Sequence, residues 1–563
     1  MMPIERPKMV GWYDPLQLIR TARQVVISTI FGQHSDHRLM EALWPGTSDW
    51  YDLSEDDQKQ PRREIWIDYV ADTGDGWHST YAVAYWLAQP TLRVTQPNDP
   101  ATMAHDTRRA DVLVFGGDEV YPTPSRKEYE QRLVQPFWTA LPRTDPPHPK
   151  VFAIPGNHDW YDNLVSFTRL FCSKEWFAGW FAPQSRSYFA VKLPHGWWLC
   201  GVDVQLGSDI DKPQVDYFRN AAKEMQPDDR VILCTAEPHW VYAARYGDLD
   251  REVYNESNLK FLEERVLSKK IKVFVAGDLH HYRRHAGPDG TQKITAGGGG
   301  AFLHPTHDPR HDTQTLPGGF TLQASYPDRA QSSKLTWRNL VFPYLNPKFG
   351  FVTGLFYMLT AWAIMAPIAD KGLSRWFEVI RLTVRQALGS PVAAFWVVAL
   401  FLAFWLFTDT HSKRYRRLAG SVHGLVHLAA VFVIGWAAAY FCVTGLGLEF
   451  KSTRQLVLTG TLILAGGYIV GPLVMGLYLL VSLNVFGRHY NEAFSSLRIE
   501  GWKHFLRLKI DAEGNLTIFP IGIRRVPRKW KDRPANQPGP QLIPDDPGAS
   551  DPELIEAPTI VRR

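Results

Sequence analysis

This sequence predicts an α/β domain followed by an all-α membrane domain. Three observations carry the prediction. Five short apolar runs each end in a cluster of hard metal-ligand residues. From residue 349 the composition turns abruptly apolar for four long stretches. An alternating strand–turn–strand pattern then resumes near Trp502.

Residues 1–59 form an N-terminal helical segment. Leu16-Gln17-Leu18-Ile19 and Val25-Val26-Ile27 are apolar, but Arg20 and Arg23 interrupt them, so a cleavable signal peptide is not evident. The pattern suits an amphipathic helix, packed on the body or lying on a membrane surface.

The α/β domain is expected over 60–345. Ile65–Ala71 leads to Asp72-Thr73-Gly74-Asp75. Asp111–Phe115 leads to Gly116-Gly117-Asp118, with Tyr121 three residues on. Val151–Pro155 leads to Gly156-Asn157-His158-Asp159, Val231–Thr235 to Glu237-Pro238-His239, and Ile271–Val275 to Gly277-Asp278-Leu279-His280-His281. Short β-branched runs bounded by Gly, Pro or Asp predict buried strands. Strand ends are where open α/β sheets build their sites. Mixed oxygen and nitrogen ligands suit Mn, Fe or Zn. Without bound cations so many carboxylates would repel one another. Cys172, Cys200, Cys234 and Cys442 lack metal-finger spacing and suit buried thiols of a reducing compartment.

This motif order resembles the calcineurin-like metallophosphoesterase superfamily over roughly residues 60–305. The resemblance implies a four-layer α/β sandwich, two mixed sheets flanked by helices, holding two divalent or trivalent metal ions. It implies that Asp72, Asp118 and His280 hold one metal. Asp118, Asn157, His239 and Asp278 would hold the other. His158 would stabilise developing charge or protonate the leaving oxygen, and Asp159 completes that catalytic motif. Gly74 departs from the family pattern where a His is usual, with Asp75 or His78 nearby as substitutes. The Asp118/Tyr121 spacing resembles the purple acid phosphatase branch, whose tyrosine binds ferric iron; the bland alternative is a packed loop aromatic. Asp278 replaces the first His of the last motif. A second alignment makes His280-His281 the ligand pair, with Asp278 behind them. The implied reaction is attack of metal-bound hydroxide on a phosphomonoester or phosphodiester, which needs no Ser or Cys nucleophile.

Gly297–Gly300 follow a strand signal at Gln292–Thr295, so Gly298 and Gly299 fit either a phosphate contact or a turn. His304, His307 and His311 follow on a polar loop and fit either the rim of the site or a solvated loop.

Residues 346–487 are expected to cross a membrane about four times, over 349–369, 391–407, 422–446 and 456–486. A span needs ~20 apolar residues, and the second stretch is the shortest. Lys413-Arg414-Tyr415-Arg416-Arg417 favours a catalytic domain on the cytoplasmic side; Arg375, Arg381 and Arg385 weaken that preference. His423 and His427 share a helix face and suit either a metal or haem pair or an interfacial pair. Gly460, Gly467, Gly471 and Gly476 suit close packing within the bundle or in a homodimer. No chain of intramembrane carboxylates supports an ion path. Residues 488–530 read as a hairpin returning to the phosphoesterase domain, and 531–563, rich in Pro and Asp, as a disordered tail.

A net charge of +5 without a nucleic-acid motif excludes nucleic acid and favours a lipid bilayer as electrostatic partner. The expected protein is a membrane-anchored phosphoesterase acting on a phosphate ester, with a lipid-linked ester suggested by the architecture. Its rivals are a silent metal-binding sensor or scaffold and a transporter with a regulatory phosphoesterase domain.

Overall fold

The computed structural model describes residues 5–32, 50–56, 58–96, 104–143, 148–204, 210–246, 257–268, 270–309, 314–365, 375–408, 412–534, 539–546 and 551–563. His311 and residues 366–369 of the first expected span lie outside the described residues. The chain opens with α1 (Pro15–Gly32).

Two mixed sheets face each other. The first is built on β1 (Ile65–Val70), β2 (Val112–Gly116) and β3 (Lys150–Ile154), all parallel. The second contains β4 (Phe189–Lys192), β5 (Trp197–Gly201), β6 (Arg230–Thr235), β7 (Ile271–Ala276), β8 (Tyr282–Ala286), β9 (Gln292–Ala296) and β10 (Phe320–Tyr326). Ile67, Val112 and Phe152 meet Val191, Leu199, Ile232 and Val275 between the sheets. The outer face of the first sheet packs on α2 (Trp77–Leu87) and its neighbours. The outer face of the second packs on α3 (Lys212–Lys223). Every β1 residue is buried because both of its faces are covered, which is why the run reads as continuously apolar rather than alternating. Parallel β1–β3 and β5–β6–β7 carry their C-terminal ends to one edge, so the motif clusters meet there.

Between β6 and β7 the chain runs through α4 (His239–Tyr246), and after β10 it enters a helical region. α5 (Pro347–Met365), α6 (Trp376–Gly389), α7 (Pro391–Phe407), α8 (Ser421–Tyr440) and α9 (Thr453–Phe486) form it. Among the described residues, three helices are long and apolar enough to cross a membrane. The expected second span differs: α7 has 17 residues and meets α6 at 99°, so only the bent pair together reaches spanning length. Ser390 and Pro391 break the helix there, since Pro caps a new first turn and cannot continue an old one.

The glycine stripe of α9 is used inside the chain. A Cβ at Gly467 would lie 2.8 Å from Tyr357, at Gly471 2.5 Å from Thr353, and at Gly476 2.2 Å from the Asn339 carbonyl. These contacts with α5 and the segment before it cover the face a second copy would need. His423 and His427 are core residues rather than interfacial ones. Their Nε2 atoms lie 3.2 Å apart, Tyr357 Oη lies 2.6 Å from His427 Nδ1, and Phe404 stacks on His427 at 3.4 Å.

α10 (Tyr490–Ser495) returns the chain to the sheets as β11 (Lys503–Ile510) and β12 (Leu516–Ile523). β11 pairs antiparallel with β1, Leu506 opposite Tyr69 and Ile510 opposite Ile65. The tail departs from expectation. β13 (Glu553–Leu554) and β14 (Thr559–Val561) both pair with β12, and Leu554 and Val561 are buried. A hairpin at a sheet edge leaves unpaired backbone groups, and the tail covers them despite its polar composition.

Candidate active site

Asp72 follows β1, Asp118 follows β2 and Asp278 follows β7. All three adopt left-handed backbone, with φ of 56°, 54° and 64°. That conformation costs an ordinary residue of order 1–3 kcal/mol and persists where surrounding structure imposes it, often at functional sites. Gly74 is explained by the same crowding. A Cβ there would lie 2.1 Å from the Glu119 carbonyl oxygen, so no His fits in the usual family position.

The Tyr121 phenol is the hub. Its oxygen lies 2.9 Å from Asp72 Oδ1, 2.9 Å from Asp118 Oδ2 and 3.0 Å from His280 Nε2. His280 Nδ1 lies 2.7 Å from the Phe302 carbonyl, which can only accept. The ring proton therefore sits on Nδ1, and Nε2 presents a lone pair to the cluster. Burial and the charges of Asp118 and Asp278 hold the Asp72 carboxyl well above its usual range. Burial and Asp159 raise Asp118 as well, and burial raises Asp278. A cation among them would reverse that penalty.

Histidine, cysteine and carboxylate side chains alone do not close a three-ligand cage among the described residues. The phenol supplies the missing donor. An octahedral ion with bonds of roughly 2.0–2.1 Å has donor–donor edges of roughly 2.9 Å, the spacing of Tyr121 from its neighbours. Asp72, Asp118, His280 and Tyr121 therefore fit one metal. The Asn157 amide faces the Asp118 carboxylate at 3.1 and 3.3 Å. It would turn its nitrogen to Asp118 when no ion is bound and its oxygen inward when one is. Asp278 lies beside them, its N–H donating to Asp72 Oδ2 at 2.8 Å and its carboxylate accepting from the Tyr242 hydroxyl.

The second expected imidazole does not fit this picture. His239 begins α4 and its Nε2 lies 3.2 Å from Glu263 Oε1. The β6 end that reaches the cluster carries Ala236, whose Cβ lies 3.1 Å from where a Cβ on Gly117 would sit and whose carbonyl accepts from Gly277. Two residues, Glu237 and Pro238, separate His239 from that place. Of the residues expected around a second ion, Asp118, Asn157 and Asp278 are the ones that lie beside this cluster.

His158 donates its backbone N–H to Asp118 Oδ1 at 2.9 Å, and its Nδ1 lies 2.7 Å from the Pro122 carbonyl. Its ring packs against Tyr121 at 4.3 Å and edge-on to Trp12 at 6.0 Å. Burial lowers its pKa, which keeps the ring neutral near pH 7. Asp159 has a different role from the expected one. Its Oδ2 accepts from Gly156 at 2.9 Å and Glu119 at 3.3 Å, and its Oδ1 from Tyr129 at 2.5 Å. It ties two loops together behind the cluster. Asp75 likewise accepts from Val10 at 2.7 Å and Phe302 at 3.2 Å, and His78 from Trp530 at 3.1 Å, so neither replaces the missing His. His281 is buried next to His280.

Gly298 and Gly299 serve packing rather than an open phosphate cradle. A Cβ at Gly298 would lie 2.0 Å from His504 Nδ1, and at Gly299 2.5 Å from the Ala71 carbonyl. His304 is buried, stacked on His280 at 3.9 Å, and its Nδ1 accepts the His280 N–H at 3.2 Å. His307 is also buried, its Nδ1 2.8 Å from Ser332 Oγ, not solvated.

Three residues escaped the sequence reading. Glu119 is fully buried, and burial with the Asp159 charge holds it well above the carboxylate range. Its adjacency to the Gly-Asp pair was the available signal. Lys503 lies buried against the Ala301 carbonyl, pushed down by burial to about 8. Trp12 caps His158. The last two come from segments far away in sequence and gave no local signal.

Comparison with known families bears on this geometry. Residues 65–282 match the model of the calcineurin-like phosphoesterase family. They are a calcineurin-like phosphoesterase domain. The match takes in all five motif clusters, and it supports a metal-dependent phosphoester hydrolase in general terms. No curated protein matches the chain. Among solved structures, GAP50, the anchor in the inner membrane complex of Plasmodium, is 11% identical, with 47% of this chain and 84% of that one covered at TM-score 0.31. The purple acid phosphatase PPD1 from yellow lupin (Lupinus luteus) seeds is 14% identical, covering 47% and 50% at TM-score 0.30. PhoD is 8% identical, covering 42% and 58% at TM-score 0.26. The match spans about half the length of the lupin enzyme, and at these scores the three likenesses carry nothing on activity.

Proposed function

We propose that this phosphoesterase domain hydrolyses a phosphomonoester or phosphodiester, anchored to a membrane by the apolar helices, with its catalytic face on the cytoplasmic side. The observation that carries the reading is the convergence of Asp72, Asp118 and His280 on the Tyr121 oxygen at 2.9–3.0 Å. Mn, Fe or Zn ions held there would supply Lewis-acid activation of water and of the phosphoryl group. Tyr121 as a donor favours a trivalent ion, because a phenol is hard and anionic when bound. Asp118 reaches both halves of the site. It also fixes the His158 backbone, so the metal cluster and the imidazole move together. The Pro122 carbonyl holds the His158 Nδ1 proton and leaves Nε2 as the ring nitrogen able to give or take a proton. Trp12 and Tyr121 exclude water from that ring. Tethering to a bilayer concentrates the enzyme at a surface and suits a lipid-linked ester.

The test is on protein purified in detergent without added metal. Bound metals are quantified, and phosphomonoesters and phosphodiesters, soluble and lipid-linked, are assayed with Asp118→Asn as control. Bound metal with hydrolysis abolished by the substitution supports the reading. Metal without turnover supports a sensor or scaffold, the reading favoured by Ala236 and by the His239–Glu263 contact. No bound metal would overturn both.

A further inference from the structure

Helix α1 is amphipathic in the wrong sense for a helix that serves only a protein core. Leu16, Ile19 and Val26 are 64, 66 and 55% exposed, and Leu18, Arg20 and Arg23 are exposed with them. From Leu16 to Val26, the half-buried positions among the described side chains are Gln17, Thr21 and Gln24. Gln24 Oε1 accepts from Thr123 Oγ1 at 2.6 Å, and Gln17 Nε2 donates to Thr21 Oγ1 at 3.1 Å. At about 100° per residue, Gln17, Thr21 and Gln24 share one face, Ile19, Arg23 and Val26 lie on the opposite one, and Leu16 and Arg20 lie on the flank between them. The polar face is turned to the body and the aliphatic face outward. A water-facing helix shows the reverse pattern.

The position of α1 says what covers that face. The preceding Tyr13 ring packs on Phe342 at 4.8 Å and Phe349 at 5.8 Å, and its hydroxyl donates to the Glu492 carbonyl at 3.2 Å. Asp14 pairs with Lys348 in the first turn of α5. α1 therefore leaves the body where the first apolar helix begins. The segment entering α5 exposes Trp337, Leu340, Val341 and Tyr344, the last at 85%. Aromatic residues at a helix entrance mark the headgroup level of a bilayer. Two arginines among exposed aliphatics complement anionic headgroups above an acyl layer.

We propose that the outward face of α1 binds the surface of an anionic phospholipid bilayer. The strap from Val10 to Asp14 then holds the catalytic ring at that surface, because Trp12 touches His158 and Val10 is bonded to Asp75. The substrate class that fits is a phosphoester displayed in the headgroup layer. This inference rests on the reading that the apolar helices span a bilayer.

The test labels the full chain with an environment-sensitive fluorophore at Ala22→Cys, on the exposed face of α1. A second chain carries the label at Val433→Cys, which is 48% exposed on α8. Both are placed in nanodiscs of phosphatidylcholine and phosphatidylglycerol containing nitroxide-labelled lipid, with the unsubstituted chain as blank. Loss of most emission at both positions is expected. The double substitution Leu16→Glu, Ile19→Glu should restore emission at Ala22 and leave Val433 quenched. Quenching at Val433 with none at Ala22 overturns the proposal while sparing the spanning reading. Energy transfer between Ala22 labels on two chains, without lipid quenching, overturns it in favour of a second copy. No quenching at either position overturns the spanning reading and this inference with it.

Discussion

Removing the Arg507 guanidinium tests whether the segment after the membrane helices is locked into the catalytic sheet. Arg507 Nε lies 2.7 Å from Asp68 Oδ1 and Nη2 lies 2.8 Å from Oδ2, while Nη1 donates to Thr107 at 3.1 Å. Arg507 is fully buried and Asp68 is 2% exposed. Burial holds the Asp68 carboxyl above its usual range even with the guanidinium beside it. Arg507→Met strands that carboxylate in the sheet. Breaking one half of a buried pair costs about 3–5 kcal/mol. At about 2–4 °C per kcal/mol for a domain of this size, Tm should fall on the order of 10 °C. The double substitution Arg507→Met, Asp68→Leu should recover most of that loss, since apolar residues of similar volume replace such pairs well. Thermal unfolding of the full chain in one detergent measures the shift. Phosphoester hydrolysis should fall with it, because β11 lies against β1, the strand that leads to Asp72. A Tm change below about 2 °C for Arg507→Met would refute the reasoning.

Tyr121→Phe should weaken metal binding by about 10–100-fold, whether the phenol binds the ion or only orients its ligands; unchanged affinity in a metal titration would make Tyr121 a packed aromatic alone. Gly298→Ala should destabilise the fold by at least about 1–3 kcal/mol through overpacking on His504, and His504→Ala should relieve it. A loss of substrate binding with unchanged Tm would instead return Gly298 to the substrate. Burial pushes His504 down to about 3 and His307 down to about 4. Both lie below the unfolded value of about 6.5, so the unfolded chain takes up protons first. Their contribution to stability is present above pH ~6.5 and lost as pH falls from there towards 3–4. Tm measured from pH 7.5 down to 5 should fall, and His504→Gln should flatten the slope; an unchanged slope counts against it.

Some of this protein is local in the sequence. The five apolar runs are strands because their buried faces demand continuous apolar residues, and Asp72, Asp118, Asn157, His158, Asp278 and His280 follow from them, since parallel strands deliver their ends to one edge. The long apolar stretches are equally local, because length and composition suffice to define a candidate span. The rest depended on long-range packing. His239 read as a ligand by order along the chain, yet the end of β6 places Ala236 at the cluster and turns His239 to Glu263. Gly298 read as either a phosphate contact or a turn, but the nearby object is His504, far away in sequence. Polar composition marked the tail as disordered, whereas the open edge of β12 gives it backbone partners. Composition and spacing report what a residue can do. Which neighbour it meets is set by sheet pairing and by the helices that carry the chain away and back.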